Sequence, residues 1–156
     1  MRPFRCPGSS ASPPEGWQLL LDPERPDPAT VNALLRRCGQ PRRSDARIAL
    51  ALERSDLLAS LWDLGAEPGP RLIGVLRATS DQSLNVNLWD LCVDPALDPC
   101  RETALHLLLE AMLRRLRRDL PGCSISLAAA AVDLPLLHRF GFQDSPNGIR
   151  AMGIRP

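Results

Sequence analysis

Residues 93–109, VDPALDPCRETALHLLL, contain the transition that decides the fold. The stretch completes the strand-like run LNVNLWDLCV (84–93) and begins a long helical segment. In proteins that bind a nucleotide or coenzyme pyrophosphate, a strand-to-helix turn of this kind usually contains glycines, because backbone amides must approach the phosphates closely. This turn has none. It is therefore a rebuilt phosphate site, one that has been lost, or only a connection.

The sequence on both sides of this turn has the pattern of a mixed α+β domain. In the first helix Asp27 is a candidate N-cap, Pro28 lies in the first turn and Gly39 ends the helix. Pro68-Gly69 favours a tight turn between two antiparallel strands. The predicted elements are strands at 17–21, 57–65, 71–79, 84–93, 124–129 and 149–154, and helices at 27–39, 44–54, 101–120 and 134–140.

The helix at 101–120 is the clearest prediction, because its leucines recur at helical spacing while charged residues occupy the opposite face. Pro121-Gly122 ends it, and CSISLAAA then forms a short strand. Since a helix separates the strands at 84–93 and 124–129, those two strands should be parallel and joined by a right-handed crossover.

Length and composition indicate one folded domain. The chain has 156 residues, of which 44% are hydrophobic, enough for a sizeable core. We expect a flexible tail at 1–16, rich in Pro, Ser and Gly, and one domain at 17–156. A net charge of +1 argues against nucleic acid as a partner. All 19 basic residues are arginine, so no lysine is present for Schiff-base chemistry.

Cysteine usage and hydropathy bear on location. The five cysteines are scattered and odd in number, which predicts reduced thiols in a cytoplasmic protein and no structural zinc. No apolar run approaches the ~20 residues of a membrane span, so no membrane partner is expected. The N-terminus lacks the apolar segment of a secretory signal, although its Arg- and Ser-rich, acid-poor character leaves a transit peptide open.

The element order resembles that of the GNAT superfamily of acyl-CoA-dependent N-acetyltransferases. Two local sequences add to the resemblance: LCVDP followed by LLEAML, and LPLLHRFGF before the last strand. The resemblance implies a mixed, mostly antiparallel central sheet flanked by helices, with one parallel strand pair. It also implies transfer of an acetyl group from acetyl-CoA to an amine acceptor by direct attack, in a monomer or homodimer. The alternative is a non-catalytic acyl-CoA sensor or protein-interaction module with the same fold.

The resemblance also assigns the coenzyme site. In the family, the strand matched by Leu88–Val93 offers backbone amides to the acetyl group and pantetheine, which assigns Leu91, Cys92 and Val93 to acetyl-CoA binding. The pyrophosphate turn, usually Q/R-x-x-G-x-G/A, is matched by Arg101, Glu102, Thr103 and Ala104, with His106 where a small residue is expected. Pro99 lacks an amide donor and Glu102 would repel phosphate, whereas the helix N-terminus and Arg101 would attract it.

Two residues are candidates for proton transfer. Asp90, in an otherwise apolar strand near the expected acetyl group, is a candidate general base, with a solvent-facing aspartate as the alternative. The tyrosine with which the family often protonates the CoA thiolate is matched by Leu137, and the neighbouring His138 is a candidate substitute, with a surface or capping histidine as the favoured alternative. Cys92 is expected to be a core thiol rather than a nucleophile, and His106 a surface residue rather than a metal ligand.

Overall fold

The computed structural model describes residues 13–22, 25–148, 152 and 154. In this part of the chain, four strands form an antiparallel meander: β1 (Trp17–Leu21), β2 (Leu57–Asp63), β3 (Arg71–Ser80) and β4 (Asn85–Val93). A fifth strand, β5 (Ser124–Leu127), joins β4 in parallel, which gives the order β1-β2-β3-β4-β5. The predicted α+β class and the predicted parallel pair are both confirmed.

Two helices connect β1 to β2. Helix α1 (Pro28–Arg37) is capped by Asp27, whose carboxylate accepts a hydrogen bond from the Thr30 amide at 3.1 Å. It ends at Gly39, which has a φ of 79°, an angle that glycine adopts without steric cost. Helix α2 (Asp45–Glu53) is capped by Ser44. The first helix therefore begins and ends where its capping residues predicted, and the second lies within the predicted range 44–54.

The long helix α3 (Arg101–Asp119) crosses one face of the sheet and connects β4 to β5. It approaches the sheet at Gly74, where an added Cβ would lie 2.9 Å from Cδ1 of Leu108. A larger residue at this position would push the helix outward. The short helix α4 (Leu134–Arg139) follows β5, and Phe140 is its C-cap residue.

The sheet separates two apolar clusters. The larger cluster packs α3 and α4 against one face and includes Leu88, Leu108 and Leu137. The smaller cluster packs α1 and α2 against the other face and includes Leu34, Val75 and Cys92. Cys92 and Leu88 therefore serve opposite faces of the same strand.

Two predictions fall largely outside the described residues. Of the tail predicted at 1–16, residues 13–16 are described, and there the Pro14 carbonyl accepts a hydrogen bond from the Trp17 amide at 3.0 Å. Of the strand predicted at 149–154, only Met152 and Ile154 are described. The predicted division into 1–16 and 17–156 stays a prediction.

Candidate active site

The parallel pair of strands comes apart halfway along β4. Pairing runs from Asn85 opposite Ser124 to Leu88 opposite Leu127 and then stops. Beyond that point a cavity of about 570 Å³ opens between the two strands, a size typical of small-molecule sites. Its lining residues are Arg37, Cys38, Gly39, Gln40, Leu88, Trp89, Asp90, Leu91, Cys92, Val93, Pro95, Arg101, Ala128, Ala129, Ala130 and Asp133.

A β-bulge marks the start of this open half of β4. Arg77 of β3 lies opposite Trp89, whereas Val75 lies opposite Cys92, so two residues of β4 face one residue of β3. Asp90, the first bulged residue, has a φ of 55°, a conformation that aspartate tolerates better than most residues. A bulge bends its strand and redirects side chains, which here turns the second half of β4 away from β5.

Asp90 belongs to a hydrogen-bonded network on the α2 side of the sheet. Its Oδ2 accepts a hydrogen bond from Nε of Arg77 at 2.6 Å. The same guanidinium donates to Oγ of Ser55 at 2.9 Å and to the Ala51 carbonyl at 3.3 Å. Oδ1 of Asp90 accepts no hydrogen bond from the described residues. The carboxylate is thus held in one orientation with one oxygen available to a ligand.

Two thiols meet at the wall of the cavity. Cys38, just after α1, donates a hydrogen bond through Sγ to the Val93 carbonyl at 3.3 Å. A hydrogen bond with the Cys92 thiol lowers the pKa of Cys38, and the same contact together with burial raises the pKa of Cys92. Of these two thiols, Cys38 therefore ionises first. Both are free, as is Cys123; the prediction of reduced thiols is wrong for Cys100, which is disulfide-bonded.

The first turn of α3 has its charges already paired. Arg101 forms a bidentate ion pair with the buried carboxylate of Asp133, at 2.7 and 3.2 Å, and this contact raises the pKa of Arg101. Glu102 pairs with Arg139 of α4. The repulsion that Glu102 was expected to exert on a phosphate is therefore offset, while the attraction expected from Arg101 is shared with Asp133.

The first turn of α3 reaches the cavity through Arg101. No side chain caps this helix, so neither Asp98 nor Thr103 fills the capping role that would compete with an anion for the first-turn amides. Ala104 is fully buried, and its amide donates a hydrogen bond to the Cys100 carbonyl at 3.1 Å, so neither its side chain nor its amide is open to a ligand. Arg101 lines the cavity, whereas Glu102, Thr103 and Ala104 are not among its lining residues.

A third carboxylate holds the connection between β4 and α3. Asp94 is almost completely buried and accepts hydrogen bonds from Arg37 at 2.7 Å and Arg71 at 3.0 Å. Its other oxygen accepts the Ala96 amide at 3.0 Å. Asp94 therefore ties the turn to α1 and β3, which fixes where α3 begins relative to the cavity.

His138 lies away from this cavity. It is exposed, its Nε2 lies 3.3 Å from Oδ2 of Asp144, and it borders a separate groove of about 840 Å³ between β5, α3 and α4. The neighbouring Leu137 is buried in the main core. The structure thus brings Asp90, Leu91, Cys92, Val93 and Arg101 together and leaves His138 apart from them.

His106 makes surface contacts only. Its ring lies 4.9 Å from that of Phe140, and its Nε2 lies 3.8 Å from a carboxylate oxygen of Glu110. Within the described ranges, no group of three or more His, Cys, Asp or Glu side chains is arranged to hold a metal ion. None of the helices described has the length and apolar content of a membrane span.

Sequence reasoning missed four residues of the site: Arg77, Trp89, Asp133 and Cys38. Trp89 carried a usable signal, because a tryptophan on the polar side of an alternating strand is unusual. The partners Arg77 and Asp133 lie 13 and 32 residues from Asp90 and Arg101, and no local pattern connects them.

Solved structures with similar folds are acetyltransferases. One, from meticillin-resistant Staphylococcus aureus and described as a probable acetyltransferase, aligns with a TM-score of 0.75 at 18% identity, covering 89% of this chain and all of that one. A GNAT family protein from Streptococcus pneumoniae aligns with a TM-score of 0.65 at 15% identity, covering 90% of this chain and 97% of that one. At such identities the likeness establishes the fold alone.

Curated relatives are more similar in sequence. The probable acetyltransferase TAP2 of Glycine max is 36% identical over 73% of this chain and 47% of its own length. A chloroplastic GCN5-related N-acetyltransferase 1 of Arabidopsis thaliana is 34% identical over 78% of this chain and 59% of its own. The chloroplastic serotonin N-acetyltransferase 2 of Oryza sativa subsp. japonica is 30% identical over 82% and 62%.

The similarity has a defined extent. This chain spans about half the length of the first two relatives among those it matches, 47% and 54%, and no protein-family model matches it. This chain has the splayed strand pair β4–β5 and the long helix α3 that connects the two strands. Taken with the fold and the sequence relatives, this arrangement identifies the chain as a member of the GNAT superfamily of N-acetyltransferases.

Proposed function

We propose that this protein transfers an acetyl group from acetyl-CoA to a primary amine by direct attack of the amine on the thioester. The observation that carries the proposal is the opening of the β4–β5 pair after Leu88, with the N-terminus of α3 at the end of the resulting cavity. The acetyl and pantetheine groups would lie along β4, and the pyrophosphate at the first turn of α3.

The open edge of β4 supplies hydrogen-bonding groups. From Trp89 to Val93 the strand has no strand partner on the β5 side, so its outward-facing amides are not used in sheet pairing and can bind a ligand. The Val93 carbonyl already accepts a hydrogen bond from Cys38. An amide aimed at the thioester oxygen would stabilise the charge that develops there during attack. Holding the thioester and amine together would supply much of the remaining rate enhancement.

Asp90 is the proposed general base. As the amine nitrogen forms its bond to the acetyl carbon, the nitrogen must lose a proton, and Oδ1 of Asp90 is the available acceptor, directly or through a water molecule. Arg77 holds the other oxygen and thereby fixes the direction of the free one. This role distinguishes Asp90 from a solvent-facing aspartate.

In the proposed mechanism, no tyrosine is needed to protonate the departing CoA thiolate. A thiol has an ordinary pKa of about 8.5, so the thiolate can leave as an anion when the carbon–sulfur bond breaks and can take up a proton from solvent afterwards. The chain has no tyrosine, and Leu137 is buried in the core. His138 borders the other groove, and we expect its removal to have little effect on the rate.

The pyrophosphate contact is proposed at the first turn of α3. The uncapped amides contribute partial positive charge, and Arg101 would add a charge-assisted contact if it shared its guanidinium between Asp133 and the phosphate. Because Arg101 already forms an ion pair with Asp133, its contact with the phosphate should be weaker than that of an unpaired arginine. We therefore expect a modest contribution to affinity.

The first two matched relatives are about twice as long as the part that this chain matches. The name of the rice relative specifies serotonin as its acceptor, and those of the soybean TAP2 and Arabidopsis relatives specify none. We keep a cytoplasmic location as the proposal. The chloroplastic relatives make a plastid the alternative, and microscopy of the tagged full-length protein decides between them.

The proposed activity is tested by amine-dependent release of CoA thiol, measured with a thiol-reactive dye in a panel of primary amines. Release that requires both acetyl-CoA and an amine, with the acetylated amine detected by mass spectrometry, supports the transferase. Acetyl-CoA binding without release in any amine would favour the sensor alternative, and the absence of binding would favour an interaction module.

A further inference from the structure

Two free thiols from different elements meet in the wall of the cavity. Cys38 directly follows α1, and Cys92 belongs to the open half of β4. Both residues line the cavity, and their sulfurs share a hydrogen bond. Cys38 also donates through Sγ to the carbonyl of Val93, 55 residues away in the chain, at 3.3 Å. Tertiary structure therefore creates this pair, at a place that a small molecule in the cavity can reach.

The two thiols differ in reactivity. The hydrogen bond with Cys92 lowers the pKa of Cys38, although burial and the nearby Asp94 carboxylate oppose it. The guanidinium groups of Arg37 and Arg101 add to the lowering. Cys92 is buried, and its pKa is raised by the same hydrogen bond and by desolvation. Because the thiolate is the nucleophilic form of cysteine, Cys38 is the sulfur that attacks first.

The contact between the two sulfurs is close to what a disulfide requires. A disulfide needs the sulfurs to approach to about 2 Å and the two Cβ atoms to about 3.5–4.5 Å. Sulfurs in hydrogen-bond contact have most of this approach already made. Cys123 differs, because its Sγ donates to the Ser83 carbonyl at 3.2 Å and it does not line the cavity. The chain thus contains a thiol pair in the cavity wall and a free thiol elsewhere for comparison.

We infer that Cys38 and Cys92 form a redox-active dithiol, a modification site at which a hydroperoxide converts the two thiols into an intramolecular disulfide. The disulfide would join the end of α1 to the open half of β4. It would thereby fix the part of the cavity wall that Cys38, Gly39 and Gln40 provide. This inference goes beyond the proposed acetyl transfer and requires neither the coenzyme nor an amine.

The reaction proceeds in two balanced steps. The Cys38 thiolate attacks one oxygen of hydrogen peroxide and the O–O bond breaks, which leaves a sulfenic acid on Cys38 and releases hydroxide. The hydrogen bond that raised the pKa of Cys92 then no longer has a thiolate partner. Cys92 attacks the sulfenic sulfur, the S–S bond forms, and the departing hydroxide takes the thiol proton of Cys92 as water. The peroxide is reduced, and the two thiols together lose two electrons.

The test treats the full-length protein with hydrogen peroxide and follows its thiols by mass spectrometry. We expect a loss of about 2 Da, two hydrogens, and a peptide pair in the non-reducing digest that links Cys38 to Cys92. Dithiothreitol should reverse both changes. Because the disulfide closes a long loop between α1 and β4, Tm should rise by on the order of 5–10 °C on oxidation. A peroxide-treated protein in which these two residues stay unlinked overturns the inference.

Variants separate the pair from ordinary thiol oxidation. In Cys92→Ser, and in Cys92→Ala as a second variant, oxidised Cys38 should remain a sulfenic acid, a gain of about 16 Da that dimedone captures. Cys123→Ser is the matched control and should form the disulfide as the parent does. Circular dichroism verifies that each variant is folded. Equal capture of a Cys38 sulfenic acid by dimedone in the parent and in Cys92→Ser would contradict the inference.

Discussion

Both halves of β4 pair with β3, but they differ on their other side. From Val86 to Leu88 the strand is paired on both sides, and its inward side chains are buried in the main core. From Trp89 to Val93 it keeps β3 as a neighbour, loses β5 and lines the cavity. One bulge at Asp90 separates a half that stabilises the fold from a half that lines the cavity and, on the proposed function, offers its backbone to acetyl-CoA.

The largest expected effect is a loss of stability on substitution in the paired half of β4. Leu88→Ala removes a buried side chain from the core and should lower the free energy of unfolding by about 2–5 kcal/mol. Leu91→Ala, a partly buried residue of the open half, should cost clearly less. Urea denaturation of both variants measures the difference, and equal losses would mean that the two halves are not distinct in packing.

Asp90→Asn tests the chemistry of the open half. Asparagine tolerates a positive φ, so the bulge should persist, whereas the base is removed. We expect the acetylation rate to fall by about 10²-fold or more with acetyl-CoA affinity nearly unchanged.

Ser55→Ala is the control for this measurement, because it removes a partner of Arg77 without touching the carboxylate. It should leave the rate close to that of the parent. A normal rate in Asp90→Asn would remove Asp90 from the mechanism and leave its ion pair with Arg77 as a purely structural contact.

Arg101→Ala tests whether the coenzyme site extends from the open half of β4 to the first turn of α3. If the guanidinium contributes to pyrophosphate binding, acetyl-CoA affinity should fall by about 10- to 100-fold. Added salt should weaken binding by the parent more than by the variant, because one charge pair has been removed. Calorimetry at two salt concentrations measures both quantities.

Asp133→Asn separates the two possible roles of Arg101. It releases the guanidinium from its partner, so acetyl-CoA affinity should be retained if Arg101 contacts phosphate. Equal affinity and equal salt dependence in the parent and Arg101→Ala would mean that Arg101 only positions Asp133, and that the turn is a connection.

The smallest effect concerns the hairpin that leads into the paired half. Three backbone amides, from Ser83, Leu84 and Asn85, donate to Oδ1 of Asp81 and hold the pKa of Asp81 below its usual range. A lowered folded-state pKa means that the stabilisation is full above the unfolded pKa of about 4 and is lost as pH falls through the folded value.

Asp81→Asn should therefore lower the Tm at neutral pH, and its difference from the parent should shrink as the pH falls below about 4. Thermal denaturation followed by circular dichroism across this pH range measures the gap. A gap that stays constant with pH would mean that the carboxylate charge does not stabilise the hairpin.

Much of the fold was predictable because its signals are local. Asp27, Ser44 and Gly39 mark helix ends through their own side chains or backbone freedom, and the helical spacing of leucines predicted α3. The site was predicted only in part. Asp90 was proposed as a base because it is a charged residue in an otherwise apolar strand. The alternation of apolar and polar residues does not show where a bulge lies, so the bulge at Asp90 was not predicted.

The ion pairs set a second limit on sequence reasoning. Arg101 was expected to be available to a phosphate and Glu102 to repel it, yet each has a partner brought close by tertiary structure, Asp133 and Arg139. Side-chain pairing across 32 and 37 residues depends on how α4 packs against α3. The sequence therefore predicted where the turn lies, but not that its charged side chains are paired.

Calorimetric titration of acetyl-CoA tests most directly whether the open half of β4 is the coenzyme site. The parent protein is compared with Ala128→Trp, which fills the cavity from the β5 side, and with Ala131→Trp, an exposed control outside its lining. We predict binding by the parent and Ala131→Trp and a loss of at least about 10-fold, or 1.4 kcal/mol, in Ala128→Trp. Equal affinity in all three proteins, or no binding by the parent at millimolar acetyl-CoA, would contradict the account.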